Sequence, residues 1–364
     1  MERCVSAGRR APVIFVALLA WALALAGHGP VVGVAGAMQD DAALGALGLP
    51  PTAGPVFVTT RFELSELTAV HDEDEIFEFS GVLTLEWLDE RQAFDPAAFG
   101  GPEKVFSGDY QFNEMSPGWF PQLILVNSAG PFETSGVTVR IRPDGSSTLV
   151  MAVSGAARVN LDIRRYPFDR QRLDAVFAVL GFGPEEVRLR TAEVEEPIGD
   201  LVARVPQWEI DSVTLAPSAA SGAGASSVTL SVLVERKSFH VVRLVVIPLV
   251  IIVALSFTVF WMDRSSLGDR LAVSFIGILT AVTFQLVIGD LLPKISYFTL
   301  IHGFLNLSFL TMCATVVINL AVGALDRRDR RAAGDRLDHH CRWAFPVAYL
   351  AILGVMVTVA FTIF

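Results

Sequence analysis

An all-β sandwich of the immunoglobulin-like kind, followed by an all-α domain of four membrane helices, is the fold class that the sequence predicts. Three observations carry it. From about residue 38 to 239, short stretches of alternating apolar and polar residues are punctuated by turn signals. After Phe239 come four apolar segments long enough to cross a bilayer. The 364-residue chain is also 52% hydrophobic, with a mean hydropathy of +0.51, which is too apolar and too long for one soluble domain. A net charge of -10 lacks the basic footprint that a phosphate backbone demands, which excludes nucleic acid as a partner.

Residues 1–37 read as an export signal. Arg3, Arg9 and Arg10 precede the apolar run Ala11–Gly27, and Ala35-Gly36-Ala37 has the A-x-A form of a cleavage site. A retained first helix is the alternative, disfavoured because the run is short and small residues follow it. Residues 38–239 then form the exported, periplasmic sandwich. Its strands are expected at Val56–Leu67, Phe77–Leu88, Val137–Ile141, Thr148–Val153, Leu173–Leu180, Val187–Leu189, Trp208–Leu215 and Val228–Val234. Pro143-Asp144-Gly145 and Gly181-Phe182-Gly183-Pro184 supply turns, and the small, flexible Ala216–Ser227 reads as an exposed hairpin loop.

Residues 240–364 form the membrane domain, with helices expected at about 241–262, 270–289, 297–325 and 343–364. Arg327, Arg328, Arg330, Arg331 and Arg336 cluster in the intervening 326–342, which reads as a cytoplasmic loop by the positive-inside rule. The sandwich and the C-terminus then both lie outside an inner (plasma) membrane. The three cysteines, Cys4, Cys313 and Cys341, leave the sandwich with no disulfide and no thiolate metal site.

The second helix holds the most informative pattern. Leu271–Ile288 is uncharged and, at ~1.5 Å per residue, spans roughly the ~30 Å hydrocarbon layer. Steps of three or four set Asp269, Ala272, Ile276, Leu279, Thr283, Leu286 and Asp290 on one face, with acidic ends and an apolar middle. A lipid-facing stripe gains nothing from acidic ends, whereas a pore-lining stripe would set carboxylate rings at its mouths. A packed helix with a Ser266-x-x-Asp269 capping box and an interfacial Asp290 fits the same stretch, and the stretch alone does not choose.

No nucleophile with a base, metal cluster or phosphate cradle has useful spacing, so neither an enzyme nor a cofactor or metal is expected. His339-His340 reads as a solvated or headgroup-facing pair in the basic loop, and His302 as a packed helix residue. The segment Val159–Leu173, VNLDIRRYPFDRQRL, is different. Tyr166 and Phe168 need something apolar to sit on, so this is a docking loop rather than a free turn.

The same segment resembles the signature loop of the pentameric ligand-gated channel superfamily, the Cys-loop receptors. Asp162, Tyr166, Pro167, Phe168, Asp169 and Gln171 match that signature, while Val159 and Leu173 stand where its cysteines would be, as in prokaryotic members. Trp87, Trp119, Pro121, Trp208, Pro248, Gly268-Asp269-Arg270 and the linker Leu292-Pro293-Lys294 also fall at family positions. The resemblance implies a homopentamer in the bilayer with the second helices lining the pore, and sandwich loops around Asp72 and Phe168 resting on Pro293 and Lys294. It also implies permeant cations, selected by Asp269 at the cytoplasmic mouth with the neighbouring Arg270 turned away, and a gate leucine at Leu279.

Proton-gated prokaryotic relatives carry carboxylates matching Glu66, Asp72 and Glu75 and an arginine matching Arg236, so the resemblance implies external protons as the stimulus. The residues agree: His71-Asp72-Glu73-Asp74-Glu75 crowds four carboxylates into one turn near Glu66, where proton uptake would relieve repulsion. Asp72, if paired with Arg236, would couple rather than sense. Two departures weigh against the acid reading, since Ala281 and Gly289 replace a histidine and a glutamate of the best-matching acid-gated pore. The rival stimulus is an unknown small-molecule agonist in an interface site drawing on Trp87, Asn127, Leu180 and the 216–227 loop. Leu180 and that loop offer no aromatic group, so an acetylcholine-like cation is not supported. A non-conducting, membrane-anchored binding receptor is the alternative from another class.

Overall fold

The computed structural model describes residues 48–51, 54–108, 118–192, 202–203, 205–218, 224–263, 266–289, 292–293 and 297–363. The export signal, Asp290 and Lys294 lie outside the described residues.

Two sheets face each other. The larger is ordered β3 (Lys104–Ser107), β5 (Glu133–Ile141), β6 (Ser146–Arg158), β2 (Ile76–Leu88), β1 (Val56–His71) and β8 (Val187–Thr191), with β9 (Val202–Ala203) also on β1. The smaller is ordered β10 (Trp208–Ser218), β11 (Ser227–Arg236), β7 (Arg170–Val179) and β4 (Leu123–Leu125). β2 shows why: Phe77, Phe79, Leu83, Leu85 and Trp87 alternate with polar or half-exposed neighbours, so one face of the pleat is buried. Across the two sheets the Phe62 ring stacks on Phe177 at 5.6 Å, and within the larger sheet it meets Phe79 edge-on at 6.0 Å. Gly81 admits this packing, because a Cβ there would lie 2.7 Å from the Phe62 ring.

The strands run longer than the alternation alone suggests, and the short β3, β4 and β9 have no counterpart in the expected set. The expected 216–227 loop is also shorter, since Ser218 still pairs with Ser227.

Among the described residues four helices are long and apolar enough to cross a membrane: Phe239–Trp261, Leu267–Gly289, Leu300–Arg327 and Arg331–Ile363. The first widens into a π turn at Val242–Val246, just ahead of Pro248. Proline has no N–H for the Leu244 carbonyl and its ring crowds that oxygen, and the wider turn removes the conflict. The 326–342 stretch, expected as a loop, is mostly helix. Only Arg328–Arg330 separates the third helix from the fourth. Gly334, Asp338 and Cys341 fall on one buried stripe at steps of four and three, and this packing holds the polar first turns in helical form. His339 and His340 therefore lie on a helix, exposed on its other side.

Candidate functional site

The second helix is two-faced. Arg270, Ser274, Ala281 and Ile288 are buried against its own chain. Asp269, Ala272, Ile276, Leu279, Thr283 and Leu286 are all exposed, with Ile276, Leu279 and Leu286 at 64%, 66% and 73%. The helix is fixed in this rotation by polar contacts from its neighbours: Asn319 donates to the Ser274 hydroxyl at 3.1 Å, and Gln285 donates to the Leu305 carbonyl at 3.2 Å. Arg270, one step from exposed Asp269, points the other way, 1% exposed and donating to Asp338 of the fourth helix at 2.6 Å.

At the base of the sandwich, Arg236 closes β11 and gathers the docking loop around it. Its Nε and Nη2 donate to the Asp169 carboxylate at 2.8 and 3.2 Å, and Nη2 donates to Asp72 at 2.9 Å. The guanidinium lies 4.1 Å from the Trp208 ring centre and 4.8 Å from that of Tyr166. Burial works against its charge, but hydrogen bonds and attraction from Asp72 and Asp169 outweigh it and hold its pKa above the ordinary arginine value. Burial likewise pushes the Tyr166 phenol up. Gln171 ties the loop together, donating to Asp169 and to the Asp162 carbonyl at 2.8 Å each.

The loop then reaches the membrane domain. Tyr297 donates its hydroxyl hydrogen to the Leu161 carbonyl at 3.1 Å and accepts from the Ile163 amide at 3.2 Å. The Leu300 amide, at the start of the third helix, donates to the Arg164 carbonyl at 2.9 Å. Phe168 meets Phe361 of the fourth helix at 6.3 Å between ring centres, with Arg165 over the same ring. Pro167 is buried after a cis peptide bond, and Pro293 is half-buried. A hydrogen bond from Arg164, followed by an opposing effect of burial, leaves the Asp162 carboxyl below the ordinary range. The Arg164 guanidinium thus favours the charged form of Asp162.

The other candidate residues are separate from this cluster. Asp72 turns inward, whereas Glu75 is exposed at φ 54 in the β1–β2 turn, where Asp74 and Glu75 border an open pocket of about 540 Å³. Glu66 sits between two register shifts of β1. Of the residues expected around a small-molecule site, Trp87 is buried edge-on to Trp119 at 6.2 Å, and Leu180 is 48% exposed. Asn127 donates to the carbonyls of Arg158 and Asp174 at 2.8 and 2.7 Å and accepts from the Val176 amide at 3.0 Å. Its amide is a brace between strands, with both N–H groups committed to the backbone.

Sequence reasoning missed Tyr297, Leu300, Phe361 and Asp338. Tyr297 and Phe361 were in principle visible, as aromatic groups at the ends of apolar segments on the side where an apolar loop must land.

Comparison with known proteins matches residues 49–237 to the ligand-binding domain of neurotransmitter-gated ion channels and residues 245–333 to the transmembrane region of the same proteins. A proton-gated ion channel of Gloeobacter violaceus is 26% identical over 306 residues, covering 83% of this chain and 82% of the relative. Acetylcholine receptor subunit beta of Xenopus laevis is 24% identical over 73% of this chain, which spans 56% of that protein. Gamma-aminobutyric acid receptor subunit rho-3 of Homo sapiens is 22% identical over 76% of this chain, which spans 60% of it. These relatives are channels and receptor subunits, not enzymes. With its extracellular sandwich and its membrane helices matched in order, the chain belongs to the neurotransmitter-gated ion-channel family.

Proposed function

We propose that copies of the chain assemble as a homopentamer around the exposed face of the second helix, forming a cation-selective channel that external acid opens through an apolar gate at Leu279. The observation that carries this reading is the exposed stripe from Asp269 through Ile276 and Leu279 to Leu286, which no other helix of the same chain covers among the described residues. Its apolar middle offers nothing to replace an ion's hydration shell, so a narrow closed state would dewet and block. Its Asp269 end would gather negative potential and draw cations, while Arg270 is neutralised elsewhere. In a salt gradient the reversal potential is expected to follow sodium or potassium, and one that follows chloride would overturn the selectivity.

The stimulus rests on the relative from Gloeobacter violaceus, a proton-gated ion channel, and on the crowded turn from Asp72 to Glu75. Neutralising Glu75 would relax that turn next to Asp72, and neutralising Glu66, farther up β1 opposite Ser80, would lower the negative charge of the same strand; together they would free the sandwich base to shift, provided the open state holds those protons more tightly. A step from about pH 8 to about pH 4 on the outer side, which ends where ordinary carboxylates begin to hold a proton half the time, is expected to evoke current. Glu75→Gln is expected to move the half-activating pH. Silence across the whole range, or an unmoved midpoint, would transfer the stimulus to a small molecule, and absence of conductance under every candidate ligand would make the protein a binding receptor.

A further inference from the structure

We propose that Asp338 is a selectivity-positioning residue: from the fourth helix it holds Arg270 inside the protein, and so keeps a cationic group out of the mouth at which Asp269 lies exposed. This inference rests on the second helix being the pore-lining one.

Asp269 and Arg270 are adjacent and opposite in charge, so the sign of the potential at that mouth depends on which of them faces the water. In the structure only the carboxylate does. Arg270 is 1% exposed, and a buried guanidinium persists only with a compensating anion. Neutral groups hold its backbone, not its charge: the Ser274 hydroxyl donates to the Arg270 carbonyl at 2.9 Å, and Asn319 donates to that hydroxyl. Among the described residues its ion-pair partner is Asp338, 68 positions away and itself buried, at 2.6 Å. Arg270 Nε is buried without a hydrogen-bond partner among the described residues, so a single carboxylate contact holds the whole group.

Removing that carboxylate leaves an uncompensated charge on a long, flexible side chain. Such a side chain extends its head toward the nearest water, which here lies beside exposed Gly268 and Asp269. One arginine per subunit would then offset one aspartate per subunit, and the mouth would lose its preference for cations.

The test is the reversal potential of the purified full-length protein in a planar bilayer under a salt gradient. Asp338→Asn is expected to lower the cation-to-chloride permeability ratio about tenfold or more, because a unit charge moved next to the ion path acts at short range. The double variant Arg270→Gln/Asp338→Asn, which removes both charges, is expected to return the ratio to that of the unmodified channel. A loss of helix packing would not be reversed in this way. If Asp338→Asn alone is silent, conducting double-variant channels with the original ratio support the proposal, and silent ones overturn it. An unchanged ratio in Asp338→Asn, or a double variant as altered as the single, also overturns it. The effect is read as a difference from the unmodified channel, so an unmodified channel that prefers chloride would refute the cation selectivity proposed above and leave this comparison readable.

Discussion

Leu279→Ser is expected to make the channel open to a stimulus about tenfold weaker and to slow its closing. Leu279 is 66% exposed on the face of the second helix that also carries Ile276 and Leu286. In a closed pentamer these side chains would meet around the axis, where the cost of keeping water in contact with apolar surface favours an empty, non-conducting constriction. Each leucine removed from such a contact forfeits about 1.5–3 kcal/mol of burial, and about 1.4 kcal/mol is already a tenfold change in an equilibrium constant. Serine also supplies a hydroxyl that holds water in the gap. Dose-response curves and deactivation rates of Leu279→Ser and Leu279→Val would check this. Valine should shift little, and a serine channel that is unchanged or harder to open removes Leu279 from the gate.

Arg236→Ala is expected to abolish stimulus-evoked current and to destabilise the sandwich by about 3–5 kcal/mol, the usual effect of leaving buried charge without its partner. The variant strands Asp169, whose side chain is 1% exposed, together with the largely buried Asp72, and it empties the space between the Trp208 and Tyr166 rings. Arg236→Lys is the informative companion, because a lysine keeps the charge but cannot donate to both carboxylates in one plane. Thermal unfolding of detergent-purified protein, with current recorded alongside, is expected to rank the unmodified protein above lysine and lysine above alanine. An alanine variant that unfolds at the original temperature and still conducts would show that Arg236 ties nothing together.

How much of this was legible beforehand depended on the range over which each signal acts. Period-two burial in β2 and β11 and the length of the apolar segments are local properties, so the sandwich and the helices could be read directly. The docking loop was legible because Tyr166 and Phe168 are costly to expose. Its landing site was not, because Tyr297 and Phe361 lie more than a hundred residues further on and only the folded chain brings them there. The start of the fourth helix was misread for a related reason. Hydropathy sees arginines and aspartates in 331–342, whereas the helix depends on a narrow stripe of Gly334, Asp338 and Cys341 that a window average dilutes. Asn127 looked free to meet a ligand because its three backbone partners belong to other strands.

The bond from the Leu300 amide to the Arg164 carbonyl has a consequence for how the protein is made. The first N–H groups of any helix lack partners within it and take their acceptors from side chains, water or neighbouring backbone. Thr299 serves the amide of His302, and the sandwich serves that of Leu300. A transmembrane helix is thus finished by a domain translated before it and folded on the far side of the bilayer. During biogenesis the Leu300 amide gains this protein acceptor only when the sandwich has folded and seated, which ties completion of the membrane half to the success of the exported half.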